Sequence, residues 1–163
     1  MHAVIWTSAG QRFALPTSSI VEVVPVVQTT PLPHGPAEVK GVFNYRGTLI
    51  PLLDAAALLR HAAVELRMAA RILVVRTGQV KDDSSRAPQM IGLLVQQVLG
   101  SENLDAAEPS QSARPTASGP GFLGPVVLTP AGTVQLIEPQ GFATVDIQPA
   151  VSYTQARGTQ EAP

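Results

Sequence analysis

Fifteen prolines and thirteen glycines are spread along the 163 residues as punctuation, and the runs between them are short and rich in Val, Ile and Leu. Proline cannot continue a helix and glycine supplies the positive φ of tight turns, so a chain divided this way favours short strands over long helices. The branched side chains between the breaks pack well on a pleated surface. The pattern predicts strands over 3–7, 12–15, 20–24, 41–45, 48–53, 71–76, 90–95, 125–128 and 133–137, hence an all-β fold.

The turns carry their own chemistry. Ala9-Gly10 and Arg46-Gly47 place a glycine where a two-residue hairpin needs positive φ, and Thr129-Pro130-Ala131-Gly132 suits a type I turn. One stretch has helical period: Asp54 can cap a helix over 54–66, with Ala55, Leu58, Leu59, Ala62 and Leu66 recurring on one face. The polar run 81–87, which includes Asp82-Asp83, and the Pro/Ser/Gly-rich run 108–121 read as surface loops. An internal echo joins 41–58 to 124–142: each is an apolar strand, a turn with Gly-Thr, a second apolar strand and then an acid, Asp54 or Glu138. The echo is either a chance likeness of two hairpins or, as favoured here, the mark of two similar barrel subdomains within one domain over 1–146; the tail over 147–163, poor in apolar residues after Val151, is expected to fray.

Composition excludes several functions. Eleven basic residues against twelve acidic ones give a net charge of −1, without the basic stripe of a nucleic-acid binder. The absence of cysteine removes disulfides, thiolate metal sites and cysteine nucleophiles. The three histidines, His2, His34 and His61, form no metal-binding repeat. His34 lies four residues from Glu38, but Gly35 and Pro36 between them argue against a helical pairing. No apolar run reaches the roughly 18 residues of a membrane helix, and no basic-then-apolar leader opens the chain, so a cytoplasmic protein is expected. There is no phosphate-cradling glycine loop and no nucleophile elbow.

Two places break the apolar pattern. Glu22 is the lone charge in the run 20–27, and a buried unpaired carboxylate costs several kcal/mol, roughly, so it faces water or meets a partner. Arg46 tops the second hairpin, where Asn44 can satisfy the backbone and Gly47 can supply positive φ, but nothing in the turn requires a guanidinium. Each has a plain reading as a solvated side chain and a sharper one as a mark of a protein-docking face. Pro51 within an apolar run points to an edge strand.

These segments resemble the CheW family of bacterial chemosensory adaptors. Phe13-Ala14-Leu15-Pro16 followed by Ile20-Val21-Glu22-Val23 is similar to its early A-[IL]-P…V-x-E-[IV] signature. Lys40-Gly41-Val42-Phe43-Asn44-Tyr45-Arg46-Gly47, with Ile50-Pro51-Leu52-Leu53-Asp54, is similar to its N-x-R-G core. Later segments 72–75, 91–95 and 122–137 fit its remaining strands. The resemblance implies two intertwined five-stranded β-barrels with a few short helices, no catalysis and no cofactor.

It further implies a scaffold that couples the cytoplasmic tips of methyl-accepting chemoreceptors to a CheA-type histidine kinase, without nucleic acid or membrane insertion. By position, Ile20, Glu22, Lys40, Asn44 and Arg46 match the receptor-contact residues, whereas Gly41, Gly47 and Asp54 match turn and cap positions. The kinase would use a separate apolar surface on the first barrel. Departures are Gln96-Gln97 where the family carries an acid, Ile137-Glu138-Pro139 after the last strand, and Tyr45 in place of a common leucine. They favour a specialised, non-flagellar pathway as the alternative to flagellar chemotaxis. A small-ligand or peptide-binding barrel and an enzyme are the competing classes.

Overall fold

The protein is seen as a computed structural model that describes residues 1–33, 35–62, 64–78, 90–105 and 120–144. His34, the expected loop at 81–87, most of that at 108–121 and the expected tail at 147–163 lie outside the described residues. Ten strands form within them: β1 (His2–Ser8), β2 (Gln11–Pro16), β3 (Ile20–Pro25), β4 (Val39–Tyr45), β5 (Thr48–Asp54), β6 (Arg71–Arg76), β7 (Met90–Val95), β8 (Val98–Asn103), β9 (Leu123–Thr129) and β10 (Gly132–Ile137). Helix α1 (Ala55–Leu58) follows β5, and a 3-10 segment, Pro139–Thr144, follows β10.

The strands divide into two five-stranded sheets with the orders β8-β1-β2-β10-β9 and β3-β6-β7-β5-β4. The orders are related element by element. In each sheet an antiparallel hairpin (β9–β10 or β4–β5) lies parallel to the next strand (β2 or β7). That strand pairs antiparallel with its sequence neighbour (β1 or β6), which pairs antiparallel with an edge strand (β8 or β3). Strands β1–β5 and β6–β10 are thus two copies of one pattern, and each sheet takes two strands from one copy and three from the other. The expected echo is real down to single hydrogen bonds: Asp54 N–H donates to Glu38 O at 2.8 Å, and Glu138 N–H donates to Phe122 O at 2.8 Å.

Period-two alternation sorts the side chains into three cores. Ala3, Ile5, Ala14 and Val134 point into the first sheet, which curls so that Leu104 beyond β8 and Val127 on β9, at its opposite edges, join one cluster. Ile50, Leu52, Ile72, Val74 and Leu94 line the inside of the second. The alternate residues, among them Trp6, Phe13, Leu15, Leu73, Ile91 and Leu93, meet in a third core between the sheets. Trp6 and Phe13 stack there at 5.8 Å between ring centroids. Near-continuous apolar runs such as 72–75 and 91–95 arise because both faces of those strands are covered.

Three local expectations change, and the hairpin turns are borne out. The helix predicted over 54–66 stops after Leu58: Arg60 adopts a left-handed φ of 59°, and its N–H and that of His61 donate to Ala57 O and Ala56 O, a Schellman ending. The chain then doubles back, because the second oxygen of Asp54 accepts from Val64 N–H at 3.0 Å. Pro51 lies in an interior strand, one residue before the parallel ladder with β7 begins at Leu52, so its missing N–H deprives no partner in that ladder. Both central residues of the first two hairpin turns have positive φ, Ala9 and Gly10 as well as Arg46 and Gly47, which makes them type I′. Strand β8 was not expected, for its Gly-Ser-Glu stretch carries no apolar alternation and lies at a sheet edge.

Candidate protein-docking site

Strands β3 and β4 occupy opposite edges of the second sheet, yet their side chains meet because the sheet rolls on itself. The Tyr45 hydroxyl donates to Glu22 Oε2 at 2.5 Å, and Arg46 Nη2 donates to the same oxygen at 3.0 Å. The Arg46 guanidinium carbon also stands 5.5 Å from the centroid of the Tyr45 ring. Tyr45 is itself buried, packed in the second sheet's core. Donation to Glu22, first, and desolvation, second, push the Tyr45 hydroxyl above its ordinary pKa of 10.0. The Arg46 side chain is 74% exposed against 37% for Glu22, so the pair has one inner and one outer member. An exposed ion pair of this kind contributes about 0–1 kcal/mol to stability. Its value lies in what it presents.

Beside the pair runs an apolar edge. Ile20, Glu22 and Val24 alternate inward, half-buried, and Val21 and Val23 face solvent. Ile20 packs against the core between the sheets, whereas Val24 packs against that of the second sheet. Apolar side chains on an edge strand are a ready docking surface, since the unpaired backbone and the greasy face are offered together. A cleft of about 260 Å³ elsewhere, between the β1–β2 hairpin and the end of α1, brings Arg60 and His61 to its wall but no carboxylate, and Ser8 Oγ and His61 Nδ1 are hydrogen-bonded at 2.9 Å. It offers no acid–base pair.

Comparison with known proteins decides the family. Residues 2–145 match the CheW-like domain. The chain belongs to the CheW-like family. Its relatives include the chemotaxis protein CheW of Rhizobium meliloti, 35% identical over 54% of this chain and 51% of that one. They also include protein PilI of Pseudomonas aeruginosa, 31% identical over 65% and 54%, and protein FrzA of Myxococcus xanthus, 27% identical over 60% and 55%. The chain spans about half the length of these curated relatives. The crystal structure of the scaffolding protein TtCheW from Thermoanaerobacter tengcongensis shares the fold, with a TM-score of 0.71 over 90% of this chain and 94% of that one, at 21% identity.

Within this CheW-like fold the expected site residues separate into two groups. Glu22 and Arg46 come together, with Ile20 on the same strand as Glu22 and Asn44 beneath the turn. Asn44 Oδ1 accepts from Gly47 N–H at 2.7 Å, so this side chain shapes the hairpin that carries Arg46. Lys40 sits at the far end of β4, its Nζ 3.5 Å from Asp54 Oδ2. Asp54 is fully buried and caps α1 as expected, its Oδ1 accepting from Ala57 N–H at 3.1 Å. Gly41 makes a bulge in β4 with φ of 144°, and a Cβ there would collide with the Thr30 carbonyl that bridges to Val42. Tyr45, bonded to Glu22, and the exposed Val21 and Val23 that flank Glu22 on β3 are neighbours of the candidate site that sequence reasoning did not single out. The signal for Tyr45 is its place between Asn44 and Arg46, the two polar residues of the turn.

Proposed function

We propose that this CheW-like chain is a non-catalytic adaptor of bacterial chemosensory signalling that couples the cytoplasmic tips of methyl-accepting chemoreceptors to a CheA-type histidine kinase. The observation that carries the proposal is the Glu22–Arg46 pair, which joins edge strand β3 to the β4–β5 hairpin at the rim of a rolled sheet beside exposed valines. A receptor tip, a helical hairpin, would lay apolar side chains along Ile20, Val21 and Val23 and a polar group on Arg46. Asn44 contributes by holding the hairpin, and Lys40 serves the far end of the same strand. The kinase takes a second, separate apolar surface, so that one rigid body fixes both partners and transmits a coupling free energy between them. Single contacts of this size are weak, and an array of them at the membrane-associated receptor cluster multiplies their affinity by tethering.

Relatives named PilI and FrzA, beside one named for chemotaxis, support a second reading in which the output is other than flagellar motility. No helix among the described residues is long and apolar enough to cross a membrane. The test is a pull-down of a receptor-tip fragment by the wild type, Arg46→Ala and Glu22→Arg. Both variants are expected to remain folded and to lose most of the receptor signal. Undiminished binding by both overturns the docking assignment.

A further inference from the structure

Tyr45 touches both members of the exposed pair without itself being exposed. Its hydroxyl and Arg46 Nη2 share one oxygen of Glu22, and its ring faces the guanidinium. Two donors on Oε2 commit the Glu22 carboxylate inward, toward the edge of β4. Arg46 spends one donor on that oxygen and keeps the rest of its planar fork in solvent, on a side chain 74% exposed. A leucine at 45 would have no hydroxyl with which to anchor the acid.

We infer that Tyr45 is a positioning residue that fixes Glu22 as an internal acceptor, so that the docking site meets its partner through Arg46 and selects a carboxylate there. The inference rests on the receptor-docking reading of the site and adds to it the chemistry of the group recognised. With Oε2 filled by two internal donors, Glu22 has Oε1 left for a partner, and Arg46 is the more exposed member of the pair. The guanidinium, steadied from one side by the acid and from below by the ring, presents parallel N–H groups that match a carboxylate in two-point geometry. Charge-assisted hydrogen bonds depend strongly on such alignment, so loosening the anchor weakens binding with no partner-facing atom removed.

The test uses the full chain in two arms. In the free protein, ¹⁵N relaxation of the Arg46 side-chain Nε is measured for the wild type, Tyr45→Phe and Tyr45→Leu; both variants are expected to show a more mobile Arg46. In the bound arm, affinity for a receptor-tip fragment is measured for Tyr45→Phe, Glu22→Ala and the double variant. Tyr45→Phe is expected to weaken binding about fivefold, the scale of one lost hydrogen bond, and the double variant to bind no worse than Glu22→Ala alone. A fragment whose tip carboxylates are changed to amides is expected to bind wild type and Arg46→Ala equally. Unchanged Arg46 mobility in both Tyr45 variants, or additive losses in the cycle, overturns the positioning role. Arg46→Ala binding the unmodified fragment as the wild type does defeats the docking reading itself, an outcome separable from the first because the relaxation arm involves no partner.

Discussion

Phe43 and Gly92 share one space inside the second sheet: a Cβ built at 92 would lie 2.5 Å from Phe43 Cε1 and 3.0 Å from Ile72 Cγ2. A glycine in the middle of a strand weakens it, and here the missing side chain is the room a buried aromatic needs.

Gly92→Ala is therefore expected to destabilise the protein by about 1–3 kcal/mol, the usual cost of overpacking. Phe43→Leu in the same chain should recover part of that loss, since the two changes share a single cavity. Urea midpoints of the two single variants and the double variant test this. A neutral Gly92→Ala would contradict the packing described.

Asp54 joins three elements through one buried carboxylate: it caps α1, holds Val64 N–H and faces Lys40. Asp54→Ala is expected to cost about 3 kcal/mol, since it removes a cap and strands a buried donor. Asp54→Asn keeps one acceptor and should cost less. Chemical unfolding and amide exchange at Ala57 and Val64 report both effects.

Tyr45 links stability to alkaline pH. Its hydroxyl is pushed above 10.0 in the folded protein, chiefly by donation to Glu22, so the folded state holds this proton more tightly than the unfolded chain. The stabilisation is complete below pH 10 and fades as pH rises through the folded value. The wild type should lose stability more steeply than Tyr45→Phe above pH 10, and the two curves should run parallel below it. Urea unfolding from pH 8 to 11 gives the comparison.

Gly41 and Gly47 should respond differently to alanine. Both have positive φ, but a Cβ at 47 meets open space, whereas one at 41 collides with the backbone of Thr30. Gly47→Ala is expected to cost about 1 kcal/mol of backbone strain, and Gly41→Ala more, with loss of the Thr30–Val42 bridge. Gly47→Val should damage folding further, because a β-branched residue resists that φ. Thermal unfolding of the three variants orders them.

Much of the architecture was legible because it is written locally. Short, branched apolar runs such as 71–76 and 90–95 announce strands, the Asn44–Gly47 turn carries its own hydrogen bond, and the acid after each echoed hairpin marks equivalent chain positions. What escaped reading depends on distant partners. The predicted helix ends early at the left-handed Arg60, and Asp54 reaches ten residues ahead to Val64, a contact that periodicity within the helix cannot reveal. Strand β8 is held by pairing with β1, not by its own composition. The Glu22–Tyr45 bond joins residues 23 apart in sequence and at opposite sheet edges, so it exists only once the sheet has curled.

The exchange of strands between the two copies bears on how such a chain matures. During synthesis β1 and β2 leave the ribosome ahead of the other strands, but their sheet stays open until β8, β9 and β10 emerge, while β3, β4 and β5 wait for β6 and β7. Neither half can close alone, and the loops to be closed are long, so assembly is slow and late compared with a helical protein of this size. The same interlock means that no cut between the copies would release an independently folded fragment, and that unravelling either sheet withdraws strands from both halves of the chain.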